Sequence, residues 1–107
     1  MQNLRILLQT IKLYMTLNPN QVFKSNELCA HTSVGDKSII LNIKNGQYYE
    51  LNSTSSIIWK LVNEGRSVED IIRFISDKYN IENKVIAKSV EKFLNSCMKL
   101  NFIHKVE

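Results

Sequence analysis

The dipeptide Asn45-Gly46, set between two stretches of alternating polarity, constrains this chain more than any other feature. Asn-Gly supplies the two positive-φ residues of a type I′ turn, whose twist matches a tight antiparallel hairpin. Ile39, Leu41 and Ile43 carry the alternation before it, and Tyr49 and Leu51 carry it after, so Lys44-Asn45-Gly46-Gln47 joins two strands. A further strand within residues 27–33, turned by Val34-Gly35-Asp36-Lys37, makes a three-stranded meander with the Tyr49 strand at one edge.

On both sides of this β segment the period becomes helical. Before it, Leu4, Leu7, Leu8, Ile11, Tyr14 and Met15 fall on one helical face, and the helix ends at Asn18-Pro19-Asn20, because a residue before proline is pushed out of the α region. After it, Asn52-Ser53-Thr54 opens a helix that turns Ile57, Ile58, Leu61 and Val62 inward, with Trp59 adding bulk and Gly65 as left-handed cap. Ser67 and Asp70 resemble a capping box for a second helix that buries Val68, Ile71, Ile72 and Ile75 and runs to about Tyr79. A third begins near Asn83 and turns Ile86, Val90, Phe93, Leu94, Cys97 and Leu100 inward, with Phe102 and Ile103 closing the core. The expected architecture is α+β: residues 1–18 form an amphipathic extension, and residues 19–107 one domain of three strands followed by three helices.

With 107 residues, three Gly and one Pro, the chain fits a single ordered domain. The formal charge of +4 favours anionic partners without choosing among nucleic acid, an acidic peptide and a membrane surface. Cys29 and Cys97 lie far apart with no CxxC and no neighbouring His or Cys ligand set, and read as reduced thiols of a cytoplasmic protein. Gln9, Thr10 and Lys12 break the first apolar run, which argues against a secretory signal, and no run of about 20 apolar residues is present to cross a membrane.

Candidates for chemistry are sparse. Cys29 and His31 are an i, i+2 pair that shares one face of a strand, as a Cys–His dyad would, but no third orienting group accompanies them. His104 reads as a solvated side chain, and Glu69-Asp70 as a favourable charge at a helix start. No phosphate loop, metal-ligand set or cofactor motif is present, so the reading is of a chain that is not an enzyme and needs no cofactor. Lys84, Lys88 and Lys92 recur every four residues as a basic stripe on the third helix.

The run from Ile40 to Thr54, followed by Ile58-Trp59, Gly65 and Ser67 to Ile72, resembles the PqqD-like family of precursor-recognition elements, with Gly46, Tyr48, Tyr49, Leu51, Asn52 and Thr54 as its signature. The resemblance covers about residues 27–103 and implies a compact winged-helix-like domain. It also implies a non-catalytic module that binds the leader of a ribosomally made precursor peptide and presents it to a leader peptidase or another modifying enzyme. Stand-alone members of this size are most similar to those of lasso-peptide pathways, whose peptidase is a transglutaminase-like cysteine protease. On this reading the strand Gln47, Tyr48, Tyr49, Glu50 and Leu51 offers an edge to an extended leader. Val85, Ser89 and Lys92 form the helical wall of the cleft, and Lys88 and Lys92 meet leader carboxylates.

A winged-helix DNA-binding protein is the alternative from another class. Its recognition helix would expose Glu69, Asp70 and Asp77 beside Arg73 and Lys78, a mixture that repels phosphates. The segment before Pro19 departs from the family pattern: either Met15 is the start, or the helix packs on the domain, pairs two protomers or docks on an enzyme, or the segment is disordered.

Overall fold

A computed structural model describes residues 16–34 and 37–107. In it five strands and three helices follow in the order β1 (Val22–Ser25), β2 (Cys29–Val34), β3 (Lys37–Asn42), β4 (Tyr48–Leu51), α1 (Ser53–Asn63), α2 (Val68–Tyr79), α3 (Asn83–Lys99) and β5 (Ile103–Val106). The meander is present as an antiparallel sheet of order β2-β3-β4, with β4 at one edge. The helix expected over the first 18 residues and the turn at Gly35-Asp36 lie outside the described residues, apart from the last residues of the former. There the chain turns at Asn18, whose side chain accepts from the N–H of Asn20 at 2.9 Å.

The helix boundaries follow local chemistry. Asn52 Oδ1 accepts from the N–H of Ser55 at 2.8 Å and caps α1, while Gly65, at φ 79°, ends it. The N–H groups of Gly65 and Arg66 then return to the carbonyls of Val62 and Leu61, satisfying two groups that a helix end leaves bare. Ser67 Oγ accepts from Asp70 N–H at 3.2 Å to open α2, and Asn80 closes it in the left-handed region at φ 52°. Val68, Ile71, Ile72 and Ile75 of α2 pack with Ile86, Val90, Leu94 and Cys97 of α3, all buried. Two buried polar groups settle each other there, Ser76 Oγ donating to Asn83 Oδ1 at 2.8 Å.

Three expectations need correction. A second sheet pairs β1 with β5 antiparallel, Val22 opposite Val106 and Ser25 opposite Ile103, so the two ends of the domain are tied together. Strands of four residues carry too few alternations to stand out, and the pairing partner is nearly the whole domain away. The Asn45-Gly46 turn is also longer than a type I′ turn: only Gly46 has positive φ, at 75°. Residues 43–46 form the loop, closed by Asn42 N–H to Gln47 O and Gly46 N–H to Asn42 O, both 2.8 Å. The side chains of Asn42 and Asn45 accept from the N–H groups of Lys44 and Gln47, which stabilises the longer loop. Finally, Ile40 is the apolar residue that β3 buries, opposite Tyr49, whereas Ile39 and Leu41 lie on the outer face and Ile43 is 61% exposed.

Candidate functional site

β4 is short, and α1 begins one residue after it, so the chain leaves the sheet at the end of the edge instead of crossing in front of it. Direction along β4 follows from its ladder. Asn42 N–H bonds Gln47 O, and antiparallel pairs alternate between bonded and non-bonded. The register then directs the N–H and C=O groups of Tyr49 and Leu51 toward Ile40 and Ser38 of β3. Those of Tyr48 and Glu50 point the other way, to the side of β4 away from β3.

Beside that edge lies a cleft of about 280 Å³ between β4, the start of α1 and α3, lined at its floor by Tyr49, Ile58 and Phe93. Tyr49 and Phe93 meet edge to face with ring centroids 5.8 Å apart. The walls are polar: Glu50, Asn52, Thr54, Ser89 and Lys92. Asn52, Thr54 and Ser55 at the start of α1 line the same space, where the N-terminal end of that helix and Lys92 favour negative charge.

Of the residues expected from sequence, Tyr49, Glu50, Ser89 and Lys92 come together in the cleft. Gln47 is exposed at the head of β4, Tyr48 is 66% exposed on the outer face, and Leu51 is buried beneath the strand. Val85 and Lys88 are exposed on α3, with Val85 one turn before Ser89. Asn52, Thr54, Ile58 and Phe93 were not expected as cleft residues, since their roles as cap and core account for them fully in the sequence.

The Cys29–His31 pair lies elsewhere, in a groove on the other side of α1. Cys29 Sγ donates to Phe102 O at 3.4 Å. Burial pushes this thiol above its ordinary value, a rise that its hydrogen bond with the Asn26 backbone reduces. A thiol held protonated is the opposite of an activated nucleophile. Among the described residues no group of three His, Cys, Asp or Glu is placed to hold a metal ion, and no helix is long and apolar enough to cross a membrane.

Fold and cleft together define a small α+β domain in which an edge strand of the described sheet lies alongside a helix. The chain belongs to the PqqD family: the model for "Coenzyme PQQ synthesis protein D (PqqD)" matches residues 37–103, which run from β3 through α3 to the start of β5. Two solved structures share the fold. One is a lasso peptide synthetase B1 complexed with the leader peptide, with a TM-score of 0.71 and 18% identity, covering 77% of this chain and 96% of that one. The other is TbiB1 in complex with the TbiA(beta) leader peptide, with a TM-score of 0.69 and 22% identity, covering 76% and 94%. No curated protein matches the chain.

Proposed function

We propose that this protein is a binding module, without catalysis of its own, that takes the leader segment of a ribosomally made precursor peptide as a fourth strand on β4. The observation that carries the reading is the position of β4 at the edge of the described sheet, with the Tyr48 backbone groups directed away from β3 beside a cleft walled by α3. Family membership and the two leader-bound relatives support it. Backbone pairing contributes only about 0.5–1.5 kcal/mol net per bond, so selectivity comes from side chains. An apolar leader residue fits the Tyr49, Ile58 and Phe93 floor, and a leader carboxylate fits Lys92 in the cleft wall, with Lys88 one turn before it on α3.

The leader then passes to a leader peptidase or another modifying enzyme in the cytoplasm, and the resemblance to B1 proteins favours lasso-peptide maturation. The test is a fluorescence anisotropy titration with the leader of a precursor encoded beside this protein's gene, with duplex DNA at the same salt as control. Saturable leader binding at micromolar or tighter affinity with weak DNA binding is expected. Strong, salt-sensitive DNA binding without leader binding would replace the reading by a winged-helix DNA-binding one.

A further inference from the structure

The sheet has a second edge, at β2, and its chemistry differs from that of β4. Ile43 N–H bonds Leu28 O at 2.8 Å, so the odd-numbered residues of β3 face β2. The register sets Ala30 opposite Leu41 and Thr32 opposite Ile39, which leaves Cys29, His31 and Ser33 directing their backbone groups outward. Among the described residues nothing pairs with this edge except at Cys29, whose N–H donates to Asn26 O at 3.0 Å. Edges are ordinarily protected by lysine, proline, a bulge or shortness. β2 has six residues, CAHTSV, with no proline and no Asp, Glu, Lys or Arg, in unbroken register with β3.

We propose that β2 pairs antiparallel with β2 of a second copy of this chain, about a two-fold axis at His31, to give one continuous six-stranded sheet. The pairing is self-complementary. His31 meets His31 of the second copy through two bonds, and Cys29 O receives the N–H of the second copy's Ser33, with the same contact repeated by symmetry. No like charges meet along the strand.

The groove beside the edge also fits that occupant. It has a volume of about 520 Å³, and Cys29, His31, Ser56, Trp59, Lys60 and Glu64 are among its lining. A strand added to β2 lies about 4.8 Å beyond it, so its inward side chains reach this groove. In a second copy those side chains are Cys29, His31 and Ser33, which would meet a wall that combines the Trp59 ring with polar Ser56 and Asn63. Lys60 and Glu64, the latter also 3.7 Å from Arg66 Nε, give its rim charges of both signs, so a two-fold allows Lys60 to face the second copy's Glu64. Pairing through β2 does not involve β4, so the dimer is independent of leader binding.

Sedimentation equilibrium of the full chain tests the proposal. The wild type is expected to show a concentration-dependent dimer. His31→Pro removes an outward N–H without touching the β2–β3 ladder, and His31→Lys sets two like charges at the axis with the backbone intact; both are expected to be monomeric with unchanged helical circular dichroism. His31→Cys in a Cys29→Ser background is expected to form a disulfide-linked dimer on oxidation, because bonded antiparallel pairs bring Cα atoms to about 5.5 Å. A wild type that stays monomeric throughout the concentration series, a folded His31→Lys variant that dimerises like wild type, or failure of His31→Cys to cross-link would overturn it.

Discussion

The Tyr49 ring meets the Phe93 ring edge to face, with centroids 5.8 Å apart and ring planes at 78°. This contact joins the edge strand β4 to helix α3 and sets the floor of the cleft between them. Such pairs contribute about 0.5–1.5 kcal/mol beyond the area they bury. Phe93→Leu keeps an apolar residue and removes the edge contact, so a loss of about 1–2 kcal/mol is expected in urea unfolding. Leader affinity is expected to fall as well, because the floor loses its shape. Unchanged affinity in a destabilised variant would place the leader elsewhere.

Proline distinguishes the two directions along β4. Tyr48→Pro removes an N–H that points away from β3 and is expected to weaken leader binding at least tenfold with the fold intact. Tyr49→Pro removes a ladder bond to β3 and leaves its acceptor unpaired, and is expected to lower stability directly, by about 1–3 kcal/mol. Circular dichroism melts and leader titrations of both variants separate the effects; equal affinity of Tyr48→Pro and wild type would rule out strand addition at this edge.

Lys92 is expected to act on charge and on rate. Lys92→Glu reverses a charge at the cleft rim, where an exposed pair is worth up to about 1 kcal/mol, so leader affinity is expected to fall several-fold and its salt dependence to flatten. Lys88→Glu is expected to act in the same direction. Stopped-flow titrations at two salt concentrations check both; a salt slope equal to wild type would remove these lysines from the encounter.

Cys97 lies fully buried, and burial, with a smaller part from Cys29, pushes its thiol from 9.0 up to about 12. The folded state therefore keeps a proton that the unfolded chain loses first. Its contribution to stability is complete below about pH 9 and is lost as pH rises toward 12. Urea midpoints measured across that range are expected to fall more steeply for wild type than for Cys97→Ala. Parallel slopes would show that Cys97 does not carry the alkaline loss.

Most of the helical half was legible because its signals are local. Ser67 and Asn52 cap where a cap residue precedes an apolar period, and Val68, Ile71, Ile72 and Ile75 are buried as the spacing requires. The sheet was less legible for a reason of parity. In a hairpin with an even-numbered loop, residues of opposite parity share a face, so Tyr49 and Leu51 go inward with Ile40 and place Ile39 and Leu41 outside. Three consecutive apolar residues hid that choice. The β1–β5 sheet depends on closing a long loop, which no local pattern reports. Of the site, Tyr49, Glu50, Ser89 and Lys92 were found through the resemblance and the lysine period, while Phe93 and Asn52 were read as core and cap and also serve the cleft.

Amide hydrogen exchange of the protein with and without a saturating leader peptide tests strand addition most directly. The Tyr48 amide, which points away from β3, is expected to slow markedly when leader is bound, while the Tyr49 amide, already bonded to β3, changes little. Saturated leader binding that leaves the Tyr48 amide exchanging as it does in the free protein would contradict the account.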